Sequence, residues 1–207
     1  MQLAEEELVY QGKLSLTKYD RENGNGTAKC GASLADAVFQ VRYYKGLLQK
    51  TELAASDAYR TWYIKTVYDE HTGSYEAKLD AAYLTGQSDP LFTDKKTGAV
   101  ILPAGTVVIT ESQPPKGYML PGHGQGYIEV TGLTGEKQQI TGNEILLHLD
   151  AGNPNKELQT FSVESGNVIE AELIKVYEQA ERVDIAFDKI NAGTRESMQG
   201  IVFRISL

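Results

Sequence analysis

The sequence predicts an all-β fold, a sandwich of two sheets, and three observations carry that expectation. Short apolar stretches with strand composition recur along the chain, each bounded by Gly, Asn or Pro. The aromatic residues are dominated by 12 Tyr against 5 Phe and 1 Trp, a bias that suits half-buried pleated surfaces better than helices. The β-branched run Val107-Val108-Ile109-Thr110 ends on Glu111 and is stopped by Pro114-Pro115 before Gly117-Tyr118. At 207 residues the chain is long enough for one large or two small domains with a real core.

Taken in order, residues 1–12 read as a linker or the tail of a preceding module. Lys13 to Tyr19 is the first strand, with Leu14, Leu16 and Lys18 on one face, so the lysine shares the core-facing side. Arg21 to Gly31 is a Gly/Asn-rich turn region. Ala37 to Leu48 is a second strand whose inward series is Phe39, Val41 and Tyr43. Leu53 to Tyr59 reads as a short helix, and Thr61 to Tyr68 as one strand. After a turn over Asp69 to Ser74, Tyr75 to Tyr83 pairs back as a hairpin partner. This inserted ribbon is where an individual function is expected, since insertions on a rigid scaffold carry function.

The strand through Val107 to Thr110 ends on Glu111. A carboxylate at that inner strand end is costly without a partner. Tyr127 to Val130, Glu144 to Leu149, Glu157 to Glu164 and Val168 to Tyr177 complete the sandwich, and the polar run Leu133 to Asn143 reads as a surface loop. The pattern then restarts. Asp184 to Asn191 repeats Lys13 to Asp20, with Lys189 in the place of Lys18, and Ser197 to Ile205 repeats Ser33 to Val41. Internal repetition of this kind indicates tandem modules. The expected boundaries are 1–12 for the leading segment, 13–180 for the sandwich, and 181–207 for the first strands of a second, truncated module.

The motif around Val107 to Tyr118, with Leu14-Ser15-Leu16-Thr17-Lys18-Tyr19-Asp20 and Ala37-Val38-Phe39-Gln40-Val41 upstream, resembles the CnaB-type (SpaA-type, prealbumin-like) domains of Gram-positive surface proteins and pilins. The resemblance covers Lys13 to Tyr118 well and the remainder more loosely. It implies a prealbumin-like sandwich and a structural stalk or adhesin module without turnover activity. The setting it implies is extracellular and cell-wall attached, with signal and anchor outside this fragment. Its partners would be neighbouring modules of the same protein, and a host protein or glycan.

The resemblance also implies an intramolecular isopeptide bond, with Lys18 as nucleophile and Glu111 as its promoter. Lys189 would be the second module's equivalent lysine. Where the family places an Asn or Asp acceptor on the last strand, this sequence has Glu178, and the departure leaves two readings open. One is a covalent bond to Glu178, the other an ordinary buried Lys18–Glu111 ion pair. The chemistry of the first is sound in general terms, because burial disfavours both an ammonium and a carboxylate. A neutral amine is a nucleophile, and a protonated acid can polarise a carbonyl.

Other function classes find less support. A net charge of −8 argues against a nucleic-acid footprint. No apolar run approaches the length of a membrane span. Ala4-Glu5-Glu6-Glu7 has the wrong charge for a signal peptide and reads as a solvated face. Leu102-Pro103-Ala104-Gly105-Thr106 is similar to a sortase signal with its last two residues transposed, and reads as a turn. Cys30 has no disulfide partner in the chain, and a free thiol suits its polar setting better than an internal thioester.

His71, His123 and His148 lack metal-like spacing, and no metal or cofactor is expected. Gly122-His123-Gly124-Gln125-Gly126 opens no helix and reads as a hairpin rather than a phosphate cradle. Asn25-Gly26-Thr27 fits a glycosylation sequon but reads as a turn. No nucleophile, base and orienter assemble into a hydrolase. The remaining alternative is a binding module whose ribbon aromatics, Tyr59, Trp62, Tyr63, Tyr68, Tyr75 and Tyr83, grip a glycan or host protein. Outward aromatics would favour binding, packed ones structure.

Overall fold

The computed structural model describes residues 9–10, 14–29, 32–132, 135–149, 159–162, 168–181 and 190–198. Among them, thirteen strands run in chain order: β1 (Val9–Tyr10), β2 (Ser15–Asp20), β3 (Val38–Lys45), β4 (Arg60–Lys65), β5 (Val67–Asp69), β6 (Ser74–Lys78), β7 (Leu102–Pro103), β8 (Gly105–Gln113), β9 (Tyr127–Gly132), β10 (Lys137–Ile140), β11 (Glu144–Leu149), β12 (Gln159–Ser162) and β13 (Val168–Glu178). One turn of helix, α1 (Lys50–Leu53), follows β3. The fold is an all-β sandwich. One sheet has the order β10-β9-β13-β2-β6-β5, with β12 also on β13, and the other β11-β8-β3-β4. Among the described residues no helix is long and apolar enough to cross a membrane.

Strand alternation builds the core between the sheets. Leu16, Ala77, Ile128, Val130, Ile174 and Val176 come from the first sheet, and Phe39, Val41, Trp62, Ile64, Val107, Ile109 and Leu147 from the second. Each is no more than 3% exposed. Burying a side chain of this size contributes about 1.5–3 kcal/mol. At the centre of the first sheet β2 and β13 are parallel, pairing Leu16 with Ile174, Lys18 with Val176 and Asp20 with Glu178. On its outer face Tyr127, Tyr177 and Tyr19 lie in register across β9, β13 and β2, with ring centroids 4.6 and 5.2 Å apart. In the second sheet β8 lies between β3 and β11, placing Glu111 opposite Phe39.

Several local expectations need correction. The stretch Thr61 to Tyr68 is two strands, because the chain changes sheets at Thr66. That residue is buried, accepts from Ala37 N–H at 3.0 Å and donates to the Leu34 carbonyl at 2.6 Å. The ribbon is consequently part of the sandwich: β4 pairs with β3, and β6 pairs with β2. The helix lies ahead of Leu53 to Tyr59, fixed by a capping box between Gln49 and Glu52. The polar stretch Leu133 to Asn143 contains β10, an edge strand paired with β9, whose alternation is hard to see because only Ile140 is buried.

Val9 and Tyr10, expected to precede the sandwich as a linker, pair with Pro103 and Leu102. Of the segment expected to begin a second module, residues 190–198 are described beyond Glu181. Ile190 bridges to Ser197 around a turn in which Arg195 N–H bonds to the Asn191 carbonyl. Lys189, Phe187, Ile201, Phe203 and Cys30 lie outside the described residues.

Candidate functional site

Three strands bring together one lysine and two glutamates in the middle of the core. Lys18 is inward on β2 because it is in phase with Leu16. Glu178 is inward on β13 in phase with Ile174 and Val176, and Glu111 is inward on β8 in phase with Val107 and Ile109. The β2–β13 register makes Glu178 the diagonal neighbour of Lys18 on the same face, within reach of a long side chain. Glu111 reaches the pair from the opposite sheet.

Lys18 Nζ donates to Glu111 Oε1 at 2.6 Å and Oε2 at 2.7 Å. It also lies 2.7 Å from Glu178 Oε1, and all three side chains have 0% exposure. The Phe39 ring, itself buried, is centred 5.3 Å from Nζ and closes the site on an apolar side. The residues expected from the sequence, Lys18, Glu111 and Glu178, thus occupy a single water-excluded cluster.

One cation cannot cheaply neutralise two buried carboxylates, so the cluster favours a proton on one of them. Glu178 is the group that takes it. Burial, above all, pushes its carboxyl up to about 9; Lys18 opposes the rise, while the charge of Glu111 and a hydrogen bond to it add to it. The contacts agree with that assignment. Neither Glu178 oxygen has a geometric hydrogen-bond partner among the described residues, although Lys18 Nζ lies 2.7 Å from Oε1. As a neutral acid it can donate to Glu111. The arrangement places the Lys18 nitrogen 2.7 Å from a carboxyl whose neutral form burial favours, with a second carboxylate on the same nitrogen.

A further buried acid, Asp20, lies two residues beyond Lys18 and is absent from the candidates the sequence offers. The signal for it is its shared phase with Leu16 and Lys18. Asp20 Oδ1 accepts the N–H groups of Glu22 and Asn23 at 2.8 and 2.9 Å, which ends β2 in a tight turn. Its Oδ2 accepts the Tyr118 hydroxyl at 2.7 Å. The Pro-Pro-Lys-Gly turn makes that contact possible, with Gly117 at φ +85° turning Tyr118 back under the core. Burial first, and then the bond to Asp20, push the Tyr118 hydroxyl up to about 12. The backbone closes this end as well: Arg21 N–H bonds to the Glu178 carbonyl and Met119 N–H to that of Gln179, both in the range 2.9–3.0 Å.

The other sequence candidates are dispersed. His71 is fully in solvent beside Asp69, and His148 bonds through Nε2 to the Leu48 carbonyl. Gly122 to Gly126 form a turn rather than a helix start. A Cβ on Gly126 would stand 2.9 Å from the Tyr177 carbonyl, which explains a glycine there without a ligand. Of the ribbon aromatics, Trp62 is fully buried, Tyr63, Tyr75 and Tyr83 are partly covered, and Tyr59 and Tyr68 are half exposed. No family model matches the chain, and no curated protein is significantly similar to it.

Proposed function

We propose that the sandwich is a structural module of a Gram-positive cell-surface stalk or adhesin, of the prealbumin-like CnaB type, closed by an intramolecular amide between Lys18 and Glu178. The observation that carries the reading is the contact of Lys18 Nζ with Glu111 and Glu178 at 2.6 and 2.7 Å inside a fully buried site. The ribbon aromatics support a structural over a binding role, since four of the six are wholly or partly packed.

In the proposed reaction the Lys18 ammonium gives a proton to Glu111 and its amine attacks Cδ of the neutral Glu178. The C–N bond forms as the C–OH bond breaks, and the hydroxyl leaves as water with a second proton from the nitrogen. Glu111 ends protonated, facing the new amide. Net charge is zero before and after, so no ion has to enter or leave the core. Near-attack contact requires reacting atoms about 3–3.5 Å apart. A bond from the first strand of the sheet to the last would stabilise the fold by roughly 5 kcal/mol, on the chain-entropy relation for cross-links.

Intact mass tests the reading. The folded chain is expected to weigh one water less than its sequence, with Lys18 and Glu178 recovered in one branched peptide. Glu178→Gln should change the lost molecule to ammonia, and Lys18→Met should lose nothing. A mass equal to that of the sequence would overturn the covalent reading and leave Lys18, Glu111 and Glu178 as a buried ionic cluster.

A further inference from the structure

The turn after β2 contains the chain's two Asn-Gly pairs, Asn23-Gly24 and Asn25-Gly26, and the structure treats them differently. An asparagine followed by glycine is prone to a spontaneous reaction in which the glycine nitrogen attacks the side-chain amide carbon. The glycine matters because it has no Cβ to hinder the approach. The attacking nitrogen must also be free of other bonds.

At the first pair it is not free. Gly24 N–H donates to the Asp20 carbonyl at 2.8 Å, Gly24 is held at φ +67°, and Asn23 Nδ2 is tied to the Thr27 carbonyl at 2.8 Å. At the second pair Gly26 N–H makes no hydrogen bond among the described residues. Asn25 is exposed, and its Oδ1 accepts Thr27 N–H at 2.9 Å. That bond draws electron density from the side-chain carbonyl and folds it back toward the following backbone, leaving Nδ2 as the free leaving group.

We propose that Asn25 is a spontaneous modification site, converting to aspartate and isoaspartate while Asn23 in the same turn remains an amide. Gly26 N bonds to Asn25 Cγ, and Nδ2 leaves as ammonia, taking the proton released from Gly26. Water then opens the five-membered imide at either carbonyl. Opening at one side gives aspartate; opening at the other routes the backbone through the side chain and adds an atom to it. The location gives the reaction a structural consequence. Asp20 N–H bonds to the Asn25 carbonyl at 2.9 Å, and Gly26 lies against the Lys18 backbone carbonyl. Isoaspartate would therefore loosen the end of the strand that carries Lys18.

Incubation of the full chain at 37 °C and mildly alkaline pH, followed by peptide mapping, tests the proposal. The expected result is a gain of one dalton located at Asn25 in aspartate and isoaspartate forms, with Asn23 unchanged. In denaturant, both pairs should react. Gly26→Ala should suppress the gain in the folded chain. An added Cβ meets nothing closer than 3.8 Å, so the variant is expected to fold, and a thermal melt matching wild type checks this. Asn23→Ser should leave the gain intact. A gain at Asn23 equal to that at Asn25, or an unmodified Asn25 in the folded chain when the denatured chain reacts, would overturn it. Deamidation adds mass where amide closure removes it, so the two proposals fail independently.

Discussion

At the scale of single residues, the chemistry of this protein rests on the difference between two glutamates that touch one lysine. Glu111 accepts two hydrogen bonds from Lys18, whereas neither Glu178 oxygen has a hydrogen-bond partner among the described residues. That difference has a pH signature. The Glu178 carboxyl is raised from an ordinary 4.5 to about 9, so the folded state holds a proton that the unfolded chain gives up. The associated stability is fully present below about pH 4.5 and is lost as pH rises toward 9. The slope is at most about 1.4 kcal/mol per pH unit for one proton. Urea midpoints across this range should show the fall in the chain before amide closure. After closure Glu178 no longer titrates, and its contribution to that fall should be absent. A chain of unshifted mass with no such fall would show that Glu178 is not the protonated partner.

Strand alternation makes Lys18 and Glu111 legible in the sequence, because each continues an apolar series in a strand whose limits are marked by turns. Glu178 is legible for the same reason once β13 is recognised. The parallel β2–β13 register that makes it a diagonal neighbour of Lys18 is not, since pairing partners are distant in the chain and composition carries no register. Asp20 is hidden because a polar residue at a strand end ordinarily faces solvent. Only the return of Tyr118 beneath the core gives it a buried partner.

At the scale of elements, two positions determine whether the strands reach their places. Thr66 is the point where the chain passes from one sheet to the other, and its hydroxyl satisfies an N–H and a carbonyl on the segment before β3. Composition suggests one continuous strand here because threonine is as strand-compatible as its neighbours; the break depends on hydrogen bonds to residues some thirty positions away. Thr66→Val keeps the shape and removes both bonds, so it should cost about 2–4 kcal/mol, read as a lower urea midpoint with unchanged slope. Gly105 opens β8 where it crosses β3, and a Cβ there would lie 2.4 Å from the Tyr44 carbonyl oxygen. Gly105→Ala should lower stability by about 1–3 kcal/mol through displacement of that backbone, and by the same assay. A neutral result at either position would mean that the local backbone can move without cost. The strand β10 passes for a loop on related grounds: at the edge of its sheet it buries one residue in four, too few to produce a visible alternation.

For the whole molecule, an amide between residues 18 and 178 would make nearly the entire sandwich a closed ring with short tails. In strong denaturant such a chain remains compact relative to a linear one. Wild type is expected to show a smaller hydrodynamic radius in guanidinium than Lys18→Met, while the two elute alike when folded. Equal radii in denaturant would mean that the ring is not closed. The same comparison under native conditions should find Lys18→Met destabilised by roughly 5 kcal/mol or more, because the variant also leaves two buried carboxyls without their cation.

The parallel pairing of β2 and β13 has a mechanical consequence. Apart from the short β1–β7 pair ahead of β2 and the contacts of Gln179 and Ala180 with Met119 and Tyr118 after β13, the described chain enters the sandwich through β2 and leaves it through β13, and the two strands lie side by side pointing the same way. Tension applied through the flanking segments would draw β2 backward and β13 forward, so the five paired positions from Leu16–Ile174 to Asp20–Glu178 would be loaded in shear, all at once, rather than peeled one by one. Lys18 and Glu178 sit within that ladder. With the amide in place the pull would pass from one side chain to the other, and the polypeptide between them, which contains almost all of the core, would carry no load.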